Sequence, residues 1–197
     1  MSTRASIAMT AEEAAAFIAE SHTVTCATLG RDGWPHLMPL WYVVRDDGGL
    51  TTAQRRWAAA SQAAPPQSTA AQRRWAAASQ AAPPFALWAW TYAKSQKVRN
   101  LERDPRCTLQ IETGLAYDEM RGLMLRCEAR IHRDVADVQA LGEEIMRRYA
   151  RLADRTRAAD AAIAPGVAAM VHRQAPKRVA LQFVERDRVS WDHRKLG

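Results

Sequence analysis

Four side chains in this 197-residue chain have the types and spacing to do chemistry: Thr91, Lys94, Ser95 and Lys97. They follow the run Leu87-Trp88-Ala89-Trp90, which alternates large and small apolar residues as a half-buried strand does. They precede Val98-Arg99-Asn100-Leu101-Glu102-Arg103, a helical stretch stopped by Asp104-Pro105. Hydroxyls and cations where a strand turns into a helix suit anion binding, because the first amides of a helix lack partners and carry the positive end of its dipole. A phosphate is the expected ligand, and the tryptophans before the turn suggest that it belongs to a flat molecule. The plainer alternative is a solvated first turn with Ser95 as N-cap. Arg99 would either help hold the anion or pair with Glu102, three residues on.

Standard catalytic patterns are missing: G-x-S-x-G, H-E-x-x-H, paired C-x-x-C, the P-loop and the dinucleotide glycine fingerprint are all absent. No catalytic acid or base can be nominated from the sequence. The histidines at 22, 36, 132, 172 and 193 are scattered, so no metal site is expected. His36 alone is kept as a site candidate, since a hairpin would bring its strand beside Thr91. Cys26, Cys107 and Cys127 each sit in an apolar strand-like run and read as reduced core residues. The formal net charge is +7 with 28 Lys and Arg, a balance that suits nucleic acid, a membrane surface or a polyanionic small molecule and selects none of them. No basic block with interleaved aromatics or RNP-like run argues for nucleic acid. No span approaches membrane-crossing length and the N-terminus lacks an apolar signal core, so a cytoplasmic protein is expected.

The elements that must position the turn follow from patterning. Thr10-Ala11-Glu12-Glu13 has capping-box spacing and opens a helix to about Ser21. Thr23–Leu29 reads as a first strand, Gly30-Arg31-Asp32-Gly33 as a hairpin turn, and Trp34 to about Val44 as one second strand. After the third strand and its helix come strands over Cys107–Glu112 and Leu123–His132, then a helix capped by Asp134 or Asp137 and running to about Leu152. Residues 153–176 are expected to be helical on either side of Pro165-Gly166. Val179–Val184 and Arg188–Trp191 close the sheet as two short strands. The fold class is mainly β with flanking helices, a closed or split β-barrel in a single domain over residues 1–197.

One segment interrupts this order. Residues 53–66 recur letter for letter at 71–84, so residues 51–86 are a tandem-duplicated 18-residue, Ala/Pro-rich insert. Ancient structural repeats diverge, and two units are too few for a solenoid. A mobile surface excursion at a hairpin tip is expected, since loops tolerate long insertions.

The turn is also recognisable. Thr91, Ser95-Gln96-Lys97, Leu101 and Pro105-Arg106 resemble the flavin-phosphate segment T-x-x-x-S-R-K-x-x-x-L-x-x-x-P-R of the pyridoxamine 5′-phosphate oxidase-like split barrels. Gly33-Trp34-Pro35-His36 with Pro39-Leu40-Trp41 resembles the hairpin before it, and the tail from Val189 to Gly197 is similar to flavin/deazaflavin-dependent oxidoreductases. The resemblance covers about residues 10–50 and 87–197. It implies a split barrel forming a homodimer that encloses a cofactor ring, with His36, Met38, Pro39, Leu40, Trp90, Thr91, Lys94, Ser95 and Lys97 around the cofactor. Met38 and Val43 stand where FMN oxidases carry a strand Arg and Lys, and Gln96 replaces a further Arg. These losses favour the deazaflavin F420 over FMN, and imply hydride transfer to a small conjugated or heteroaromatic substrate. A non-catalytic barrel that carries a flavin, haem or lipid is the alternative from another class.

Overall fold

The computed structural model describes residues 6–46 and 85–196. Helix α1 (Ala11–Glu20) opens on the expected capping box: Thr10 Oγ1 accepts from the Glu13 amide at 3.2 Å, and Glu13 accepts from the Thr10 amide at 2.7 Å. Strands β1 (Val24–Leu29) and β2 (Pro35–Leu40) form the first hairpin. Its turn needs Gly33 in the left-handed region, at φ +83°. β3 (Tyr42–Asp46) and β4 (Phe85–Tyr92) follow, then α2 (Gln96–Arg103), β5 (Arg106–Thr113) and β6 (Arg121–His132). The chain ends with α3 (Val135–Ala153), α4 (Pro165–Gln174) and β7 (Arg178–Asp192).

The seven strands make one antiparallel sheet in the order β2-β1-β5-β6-β7-β4-β3. The stretch expected as a single second strand is therefore two strands at opposite edges, parted at Trp41. β2 pairs with β1, whereas β3 pairs with β4 in the register Tyr42↔Ala89. With only Trp41 between strands at opposite edges the sheet must curl, and β2 also comes into contact with β4. The result is a curled half-barrel, the split-barrel architecture expected from the sequence.

Two further expectations are corrected. The two closing strands are one, β7, bent by a bulge in which Arg126 faces Asp187 and Cys127 faces Glu185, leaving Arg186 as the extra residue. Only the second half of residues 153–176 is helical: α4 starts with Pro165 in its first turn, where a missing amide costs nothing. Asp134, rather than Asp137, caps α3 by accepting from the amides of Ala136 and Asp137.

Strand alternation divides the core. Leu87 and Ala89 face the barrel interior with Phe17, Tyr42, Leu109 and Phe183. Ala86, Trp88 and Trp90 face outward, where Val138, Leu141 and Ile145 of α3 and Val171 of α4 cover them. Cys26, Cys107 and Cys127 are free and buried in the interior. The neighbouring Cys26 thiol and burial push Cys107 up from its ordinary pKa, and burial does the same to Cys127. Neither is a nucleophile in this setting. The duplicated unit lies outside the described residues, except that its last two residues, Phe85 and Ala86, already belong to β4. Among the described residues no helix is long and apolar enough to cross a membrane.

Candidate functional site

The turn between β4 and α2 is held from below by backbone bonds: the Ala93 amide donates to the Lys177 carbonyl at 3.0 Å, and the Ser95 amide to the Tyr92 carbonyl at 3.1 Å. Ser95 takes the N-cap position with extended backbone angles, yet its side chain makes no capping bond. Its Oγ is buried without a hydrogen-bond partner. Capping therefore does not explain Ser95, since a capping hydroxyl would accept from an amide of the first turn.

Lys97 is the second anomaly. It is 6% exposed, and its Nζ donates to Thr91 Oγ1 at 3.1 Å. An ammonium has three donors, and among the described residues no carboxylate pairs with this one. Burial holds its pKa below the ordinary lysine value, and the nearby Arg178 adds to that. A buried cation without a counter-ion at the start of a helix is complementary to an anion.

The same helix is wired to the first hairpin. Gln96 Nε2 donates to Asn100 Oδ1 at 2.9 Å, and Asn100 Nδ2 donates to Thr28 Oγ1 at 3.0 Å. The Thr28 hydroxyl in turn donates to the His36 carbonyl at 3.4 Å. Asn100 and Thr28 are both buried, so this chain fixes α2 against β1 and β2 across a long stretch of sequence.

The structure brings together Thr91, Ser95 and Lys97. Leu40 is buried at the end of β2, the strand that approaches β4. His36 is half-buried on β2 but pairs across to β1, so the expected hairpin with the Thr91 strand is not what positions it. Met38 and Pro39 are exposed on the same edge strand, and Lys94 is exposed at the turn. Trp90 is not on the Thr91 face: it points outward into the α3 and α4 cluster, because neighbours in a strand face opposite ways. Arg99 is exposed and does not pair with Glu102, whose carboxylate is bound by Arg133 instead.

Arg178 was not legible as a site residue. It opens β7, opposite Tyr92 in the β4 ladder, and its guanidinium lies 4.0 Å from the ring centres of both Trp90 and Tyr92. Only strand register, and no local spacing, places this cation by the turn. An apolar concavity of about 350 Å³ lies elsewhere, beside Ala27, Leu29, Pro35 and Thr108 on β1, β2 and β5. The arginines on its rim are paired: Arg106 with Asp104, Arg126 with Asp187 and Arg186 with Glu128.

A half-barrel whose edges are the consecutive strands β2 and β3, with the buried Lys97 and the unpartnered Ser95 hydroxyl where β4 turns into α2, is a split β-barrel with a candidate anion site. The chain belongs to the family of the conserved hypothetical protein Rv2991 from Mycobacterium tuberculosis. The two are 31% identical, the match covers 100% of this chain and 93% of that one, and the TM-score is 0.68. A protein described for 5-nitroimidazole antibiotic resistance in Bacteroides thetaiotaomicron shares the fold at 10% identity and TM-score 0.58, covering 93% of this chain and 84% of that one. HutZ, the heme storage protein from Vibrio cholerae, shares it at 12% identity and TM-score 0.52, with 89% of each chain covered. No family model matches the chain, and no curated protein matches it.

Proposed function

We propose that this chain is a cofactor-dependent oxidoreductase that binds F420, with FMN as the alternative cofactor, and holds the cofactor's phosphate at the β4–α2 turn. The observation that carries this reading is Lys97, buried without a carboxylate, beside the unpartnered Ser95 hydroxyl. The groups present fit a phosphate: the Lys97 ammonium has donors to spare, Ser95 has a free hydroxyl, and Arg178 supplies a second positive charge. Thr91 orients the Lys97 ammonium by accepting one of its hydrogens. His36, Met38, Pro39 and Leu40 lie along the strand that approaches β4 and would line the ring; Trp90 supports the turn from behind, through Arg178.

When bound, the deazaflavin supplies hydride transfer with a small conjugated or heteroaromatic substrate. The chain's own contribution is to neutralise and position the cofactor, and to keep water from the anion site through the packed Asn100–Thr28 link. A homodimer, in which the exposed apolar residues Leu29, Trp34, Leu37 and Met38 of the β1–β2 hairpin would meet a second copy, belongs to the same reading. Among the described residues no histidine or carboxylate bonds to Thr91, Ser95 or Lys97, which favours one second reading, a barrel that binds the cofactor without turnover.

Titrating purified protein with F420 and with FMN, followed by mixing with the reduced cofactor and candidate acceptors, separates these. Saturable binding of F420 with oxidation by an acceptor is expected. Binding without turnover favours the carrier, and failure to bind either cofactor refutes the site.

A further inference from the structure

We infer that a second, separate site for an elongated polyanion lies between α1, β3 and the C-terminal half of α3. A pocket of about 680 Å³ opens there. Its apolar wall is Ile18, Val43 and Val44, and the alanines of α1 leave the space unfilled. The opposite wall is cationic, formed by Arg147, Arg151 and Arg155.

Three facts distinguish this wall from an ordinary solvated face. First, the acids that share the pocket are already engaged: Glu144 pairs with Arg45 at 2.6 Å and Glu20 with Arg121 at 2.8 Å. Among the described residues Arg147, Arg151 and Arg155 pair with no carboxylate. Second, the neighbouring Arg148 shows what a structural arginine does here. It donates to the carbonyls of Ile18, Ala19 and Ser21 and lies 4.7 Å over the Tyr42 ring, clamping the end of α1 against α3. Third, Arg147 and Arg151 are one turn apart on the same helical face, about 6 Å along the axis. Arg151 alone could be explained by the negative end of the helix dipole; the row continued by Arg147 and Arg155 could not.

A row of guanidiniums along one wall matches a chain of phosphates or carboxylates rather than one compact anion, and the apolar wall accommodates the body that carries it. This site is distinct from the β4–α2 turn: Val44 is opposite Leu87, four residues or roughly 14 Å along the strand from Thr91. It stands whether or not the turn binds a cofactor.

The test is calorimetric titration of the full chain with tripolyphosphate and, separately, with triglutamate, which tells a phosphate chain from a carboxylate chain. Saturable binding of either is expected, weakened at least tenfold in the Arg147→Gln/Arg151→Gln double variant. It should stay within twofold of wild type in Arg157→Gln, whose guanidinium bonds the Ala162 carbonyl outside the pocket. Absence of saturable binding of both probes, or equal weakening in Arg157→Gln, overturns the site. A readout on the wild-type protein guards against misfolding of the double variant: phenylglyoxal modification of Arg151, mapped by mass spectrometry, should be suppressed by the bound probe. Unchanged modification at saturating probe refutes the proposal.

Discussion

Replacing Lys97 with Met tests the anion site most directly, because the two roles of this lysine pull in opposite directions. In the free protein its ammonium is 6% exposed and has one neutral partner, the Thr91 hydroxyl. Burial of an uncompensated charge costs several kcal/mol, whereas the lost hydrogen bond is worth roughly 1.5–3 kcal/mol. Met fills a similar volume, so Lys97→Met should stabilise the free protein by about 1 kcal/mol, raising Tm by about 2–4 °C. The pH dependence has a definite sign. The folded pKa is depressed, so between it and the unfolded value of 10.5 the unfolded chain binds more protons. Wild-type stability therefore rises with pH across that window, and the variant lacks this rise. Ligand affinity should move the other way: loss of one charge-assisted phosphate contact predicts roughly 10- to 150-fold weaker cofactor binding. Thermal melts of both proteins, with and without F420, FMN or inorganic phosphate, read both effects at once. A variant that is clearly less stable than wild type yet binds as tightly would refute the reasoning, and would make Lys97 a structural strut for Thr91.

Gly122 faces Trp191 across the β6–β7 ladder, and a Cβ there would fall 1.9 Å from Trp191 Cζ2. Gly122→Ala should cost about 1–3 kcal/mol, read as a lower urea midpoint at unchanged slope. Asp192 is buried, and its carboxyl is held below the usual value by the Arg194 bidentate bond first and by Arg121 as a lesser cause. Asp192→Asn should lose about 1–3 kcal/mol at neutral pH. That difference should disappear in acid-unfolding curves as pH falls below 3.8 through the depressed native value. Deletion of residues 51–84, sparing the β4 residues Phe85 and Ala86, should leave Tm within about 2–4 °C of wild type and cofactor affinity unchanged. A larger fall in Tm would make the duplicated unit structural.

Local signals in the sequence were reliable where the physics is local. The Thr10–Glu13 capping box, the Gly33 turn and the β4–turn–α2 succession each depend on a few adjacent residues, and each is present. Two strand errors have a common source. Trp34–Val44 is apolar except for His36, so composition could not reveal that pairing partners change at Trp41 and send the two halves to opposite edges. In β7 the polar residues Glu185–Asp187 looked like a break, but they are a bulge that pairing with β6 carries through. The site followed the same rule. Thr91, Ser95 and Lys97 were legible because seven residues contain them. Arg178, Asn100 and Thr28 were not, since register and tertiary packing alone bring them to the turn. Trp90 was grouped with Thr91 by proximity in sequence, which alternation along a strand forbids.

The apparent loss of cofactor cations also acquires a physical reading. Val43 stands where the sequence resemblance to FMN oxidases implies a strand lysine, and here it is 3% exposed in the outer cluster with Trp88, Trp90, Leu141 and Ile145. A lysine there would be driven into the apolar seam between β3 and α3, at a desolvation cost that the nearby Glu144, already paired with Arg45, would not offset. The seam and a strand cation are therefore alternatives, and this chain keeps the seam. Besides the exposed Lys94, the positive charge near the turn sits on the buried Lys97 and on Arg178, stacked on Trp90 and Tyr92. Arg178→Gln should then raise the depressed Lys97 pKa towards its ordinary value, because it removes the repulsion while leaving the burial. NMR titration of the Lys97 side chain reads that shift, and no change would mean that Arg178 acts only as packing for the two rings.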